Sequence, residues 1–120
     1  MKVQYDILVK SLLKSGKDIQ ASLTASEANL VHLALGISGE AGEVVDAIKK
    51  AAIYNKPLDR ENIIEELGDL EFYMEGLRQA IGVTREEVIN TNVQKLGKRY
   101  SSGTYSDKQA QDRADKVQIG

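Results

Sequence analysis

The sequence predicts an all-α fold: a four-helix bundle with an extended C-terminal tail, assembled as an oligomer. Three observations carry that expectation. Apolar residues recur at helical spacing in four stretches, two of those stretches open on capping-box patterns, and no segment carries a convincing strand with its own hairpin signal. Over residues 2 to 15, Val3, Ile7, Leu8, Leu12 and Leu13 keep the helical period until Gly16 interrupts it. Thr24-Ala25-Ser26-Glu27 sets a capping hydroxyl and a reciprocal carboxylate three residues apart. The helix it opens spans 25 to 54, with an apolar arc through Leu30, Leu33, Ile37, Val44 and Ile48, and Asn55-Lys56-Pro57 ends it. Asp59 is the N-cap of a third helix, striped by Ile63, Leu67, Leu70, Met74, Leu77 and Ile81 and closed by Gly82. Thr84-Arg85-Glu86-Glu87 opens the fourth, which runs through Val88, Ile89, Val93 and Leu96 to Tyr100. Residues 1–100 thus form one helical domain. The tail, 101–120, has only Ala110, Ala114, Val117 and Ile119 as aliphatic residues, so it either wraps over the bundle or moves freely.

Composition narrows the function classes. With 120 residues, 42% of them apolar, the core is modest, and association into a dimer or tetramer would bury more apolar surface. The absence of cysteine excludes disulfides, thiolate metal sites and a Cys nucleophile, and a single histidine excludes a His-rich metal site. A formal net charge of −2 gives no general attraction for nucleic acid. No apolar run is long enough to span a membrane, and a cytoplasmic protein is the expectation.

The charge is unevenly placed. Between Asp59 and Glu75 seven acids face the single Arg60. Glu40 and Glu43 sit three apart on the second helix, Glu66 and Asp69 three apart on the third, so each pair shares a helix face. A chain this acidic contains about two or three such pairs by chance, so spacing alone decides nothing. Position does: both pairs border the apolar stripes, and two helices joined by a short connection are antiparallel neighbours. Four carboxylates then converge at the seam and require a counterion. All-oxygen ligation suits a hard divalent cation, Mg²⁺ first and Mn²⁺ second, rather than zinc. Gly36, Gly39, Gly42 and Gly68 accompany the carboxylates, each costing roughly 1 kcal/mol relative to alanine. They serve close helix approach or open room for a ligand.

The fourth helix is basic. Lys95, Lys98 and Arg99, with Asn92 and Tyr100, form a set able to hold phosphate oxygens or simply a solvated face. Lys50 reaches either a phosphate or its i−4 neighbour Asp46. Tyr73 and His32 border the same region, as packing residues or as walls for a base.

At these residues the chain resembles the MazG-like nucleotide pyrophosphohydrolases of the all-α NTP pyrophosphatase group, phage and bacterial types included. Their E-x-x-E and E-x-x-D words correspond to Glu40-Ala41-Gly42-Glu43 and Glu66-Leu67-Gly68-Asp69, and Asn92-Val93-Gln94-Lys95-Leu96-Gly97-Lys98-Arg99-Tyr100 matches a further segment. The chain departs from many relatives in carrying Ser101 in place of a proline. The resemblance implies Mg²⁺-dependent hydrolysis of a nucleoside or deoxynucleoside triphosphate to the monophosphate and pyrophosphate. Glu40, Glu43, Glu66 and Asp69 would hold metal, with Glu40 or Glu43 as proton acceptor, and Lys50, Asn92, Lys95, Arg99 and Tyr100 would hold substrate. Two other readings stay open: an enzyme similar to phosphoribosyl-ATP pyrophosphohydrolase, and a non-catalytic, metal-stabilised interaction module presenting Glu71, Glu75 and Arg78 to a partner.

Overall fold

Side-chain caps on the backbone set most of the helix starts. The computed structural model describes residues 4–113, 115 and 116; Val3 and the tail aliphatics Ala114, Val117 and Ile119 lie outside the described residues. Among the described residues there are six helices and no strand: α1 (Tyr5–Leu12), α2 (Gly16–Ser22), α3 (Ala25–Ala52), α4 (Arg60–Ile81), α5 (Arg85–Arg99) and α6 (Asp107–Asp112). At the start of α3 the backbone N–H of Thr24 donates to Glu27 Oε1 and that of Glu27 donates to Thr24 Oγ1, both at 3.1 Å. Hydrogen bonding to the Thr24 side chain, and then to its backbone N–H, holds the Glu27 carboxyl below the ordinary carboxylate range. Asp59 accepts from the N–H of Asn62, and Thr84 from that of Glu87, each at 3.1 Å. Gly82 closes α4 in the left-handed region at φ 75°, which glycine adopts without a Cβ penalty.

The all-α class and the four expected helices are present, and two short helices join them. The first expected helix ends at Leu12 rather than 15, and Gly16 begins α2 instead of terminating structure. The reason is local: Ser15 caps the new helix by accepting from the N–H of Asp18 at 3.1 Å. In the tail Ser106 does the same for α6, accepting from Gln109 at 3.0 Å.

The principal packing is α3 on α4, with a smaller contact of α6 on α5. Leu33 meets Gly76 and Gly36 meets Tyr73, one index rising as the other falls, which is the pairing of an antiparallel hairpin. A Cβ at Gly36 would clash with the face of the Tyr73 ring, and one at Gly76 would stand 2.8 Å from Leu33 Cδ2. Gly39, Gly42 and Gly68 face open space. Taken as whole residues, Ala47 and Arg78 are the only buried ones among the described residues. Arg78 is held by its own helix, donating from Nη2 to Glu71 and from Nε to Glu75. The radius of gyration is 20.5 Å, against about 14 Å for a compact chain of this length. Leu35, Val45, Phe72 and Val93 remain exposed.

The two kinds of glycine behave oppositely on substitution. Gly36→Ala displaces the Tyr73 ring and lowers stability by about 1–3 kcal/mol, whereas Gly39→Ala gains helix propensity and is neutral or stabilising by up to about 1 kcal/mol. Thermal melts of the two variants test this, and equal melting temperatures would remove Gly36 as the close-approach point.

Candidate metal centre

One turn along the α3–α4 seam from the Gly36–Tyr73 contact, three carboxylates come together. Glu40 on α3 and Glu66 and Asp69 on α4 each offer an oxygen within 4.8 Å of the other two. Glu66 and Asp69 share a face because they lie one turn apart, and Glu40 crosses from the facing helix. Glu40 and Glu66 are half-buried, Asp69 is exposed. Glu43 is exposed and is not one of the three that meet, yet it stands near enough for its charge to act on Glu66. Partial burial, followed by the charges of Glu43, Glu40 and Asp69, pushes the Glu66 carboxyl above the ordinary carboxylate range.

The donor set fits a hard divalent cation. It is made of carboxylate oxygens alone, with no sulfur or imidazole, and none of the four acids forms an ion pair among the described residues. A Cβ at Gly39 or Gly42 on one helix, or at Gly68 on the other, would meet nothing within 4 Å. Of the two uses expected for the glycines, close helix approach is the one seen, at Gly36.

The aromatic neighbours belong to the seam. Tyr73 lies over Gly36, and His32 meets it edge-on with ring centroids 6.0 Å apart. Both border a groove of about 720 Å³ with Leu33, Phe72 and Arg78.

The basic residues of α5 are placed apart from the cluster, since the helix that α5 packs against is α6. Lys95 is half-buried and Asn92 exposed. Tyr100 packs on Tyr105 with centroids 5.6 Å apart. Lys50 forms an ion pair with Asp46 at 3.1 Å, both side chains more than half exposed, so that pair adds little to stability. Arg99 is engaged by Asp115, a residue that sequence reasoning did not single out. No periodicity links positions sixteen apart across a loop, and nothing local sets Asp115 apart from the other tail acids, Asp107 and Asp112.

A family model described as the MazG nucleotide pyrophosphohydrolase domain matches residues 29–103. The match takes in most of α3 and all of α4 and α5, including the four acids. No curated protein and no solved structure matches the chain.

The raised Glu66 carboxyl has a definite sign in stability. Its proton is held more tightly in the folded chain than in the unfolded one, so the associated stability is present at acid pH and lost as pH rises past the raised value. In metal-free buffer Glu66→Gln therefore raises the melting temperature at neutral pH, and the gain disappears on acidification below the ordinary carboxylate range. Added Mg²⁺ reverses the gain. A melting difference independent of both pH and Mg²⁺ would show that the carboxylates are not crowded.

Proposed function

This chain belongs to the MazG nucleotide pyrophosphohydrolase family, and from that premise we propose that it hydrolyses a nucleoside or deoxynucleoside triphosphate to the monophosphate and pyrophosphate with Mg²⁺. The observation that carries the reading is the convergence of Glu40, Glu66 and Asp69 across the seam. Glu43, beside them, completes the set of ligands for the cation. When bound, a divalent cation supplies charge neutralisation of the triphosphate and acidifies an attacking water.

The chain's own residues supply the rest. Glu40 or Glu43 accepts the proton from water as its oxygen bonds to the α-phosphorus, and the bridging oxygen leaves with pyrophosphate. Lys95 and Arg99 hold phosphate charge as it moves toward the leaving group, with Asn92, Tyr100 and Lys50 as further contacts. Self-association belongs to the same reading. The apolar residues Leu35, Val45 and Ile48 on α3 and Val93 and Leu96 on α5 remain exposed among the described residues, and a second copy buries them. No helix among the described residues is long and apolar enough to cross a membrane.

Glu66→Gln and Asp69→Asn are expected to abolish Mg²⁺-dependent pyrophosphate release, a loss of at least about a hundredfold, with helical content by circular dichroism unchanged. Lys95→Ala raises KM for the triphosphate while the Mg²⁺ dependence of stability is retained. Near-normal turnover in both carboxylate variants would refute the site, and Mg²⁺ stabilisation without turnover of any nucleotide in the unmodified chain would favour a non-catalytic module.

A further inference from the structure

Residues 101–113, 115 and 116 return toward the end of α5, and an ion pair closes the return. Arg99 donates from Nε to Asp115 Oδ1 at 2.9 Å and from Nη2 to Oδ2 at 3.4 Å. The two side chains are 16% and 5% exposed, whereas those of Lys50 and Asp46 are 59% and 52% exposed. Other contacts fix the path of the chain. Gln109 Nε2 donates to Ser101 Oγ at 3.1 Å, and Ser102 Oγ donates to Gln109 Oε1 at 3.2 Å. With the Tyr100–Tyr105 packing, these seat α6 at the end of α5 and deliver Asp115 to Arg99. Asp115 lies beyond residue 103, where the family match ends, so the contact comes from the chain's own extension.

A guanidinium carries five N–H groups around a rigid plane. Asp115 takes the Nε edge and one Nη2 hydrogen, which fixes the side chain along its length. Among the described residues, both Nη1 hydrogens and the second on Nη2 remain for another acceptor. Lys95 lies one turn earlier on α5 and lines a single cleft with Lys98, Asp115 and Lys116, so positive charge exceeds negative there. Burial pushes the Asp115 carboxyl up, but the hydrogen bond from Arg99 and the charges of Arg99 and Lys116 outweigh it and leave the group below the ordinary range. The pair is therefore intact throughout the neutral range.

We propose that Asp115 is a positioning residue, pinning Arg99 by one edge so that the other is preset for a phosphate oxyanion. The proposal rests on the reading that Arg99 contacts the triphosphate. Without Asp115 the long side chain is ordered only when substrate binds, and the ordering cost falls on affinity rather than on the chemical step.

The test uses the full chain with Mg²⁺ and a triphosphate that it hydrolyses. Asp115→Asn is expected to raise KM about tenfold with kcat little changed, and to weaken binding of a nonhydrolysable triphosphate analogue by the same factor in calorimetry. Asp115→Glu restores most of the loss, since a longer carboxylate still reaches the Nε edge. Arg99→Ala raises KM at least as far, and Asp115→Asn adds nothing in the double variant. A wild-type KM in Asp115→Asn, or an undiminished further increase in the double variant, overturns the positioning role while leaving Arg99 at the phosphates. A wild-type KM in Arg99→Ala overturns both, and melting curves separate each outcome from a folding defect.

Discussion

The structure depends on one opposition: like charges gathered at a seam that close packing holds shut. Where Tyr73 lies over Gly36 and Leu33 over Gly76, only one of the two helices contributes a side chain to each contact, so α3 and α4 approach closely. That approach sets the separation one turn further on, where Glu40 meets Glu66 and Asp69. Two unit charges 4 Å apart repel by about 1 kcal/mol in water and about 4 kcal/mol at an effective dielectric of 20. Apolar packing along the hairpin has to offset this, because no lysine or arginine pairs with these acids among the described residues. The raised carboxyl of Glu66 is the same opposition seen in protonation.

What the sequence made legible follows from how local each signal is. The Thr24–Glu27 box, the Asp59 and Thr84 caps and the Gly82 stop act within four residues of backbone, and each is where its pattern places it. The carboxylates were legible for a related reason, since spacing of three within each helix and a short connection between helices suffice to bring Glu40 to Glu66 and Asp69. Glycine was harder to read. Gly36 and Gly39 are the same residue type three positions apart, yet one lies under an aromatic ring and the other faces open space. That difference belongs to the facing helix. Gly16 reads as a helix breaker until Ser15 and Asp18 are seen to cap a new helix around it.

A helical stripe reports a face, not what covers it. The periodicity of Leu67 and Met74 on α4, and of Val93 and Leu96 on α5, correctly marks helices, but among the described residues these side chains are only partly covered. The acids and the cations fall on different hairpins for the same reason, with Glu40, Glu66 and Asp69 on α3–α4 and Lys95 and Arg99 on α5. Sequence reasoning identified both sets by charge and spacing. Their distribution between packing units required tertiary structure.

That separation has a chemical consequence. Carboxylates and cations close enough to pair would neutralise each other, leaving neither a cation site nor a phosphate site. The ion pairs that do form are confined to other places: Arg78 is held by Glu71 and Glu75 along α4, and Lys50 by Asp46 on the surface of α3. Arg99 is the instructive case, because it carries an acid partner and still keeps donors free. Asp115 engages one edge of the guanidinium from outside the family-matched segment, and none of the seam acids pairs with Arg99 among the described residues. A site that must hold a cation and a polyanion together requires opposite charges that are near enough to share one ligand yet prevented from satisfying each other. Within one chain the two packing units, α3 on α4 and α5 with its tail, meet the second half of that requirement, since neither set of charges satisfies the other among the described residues.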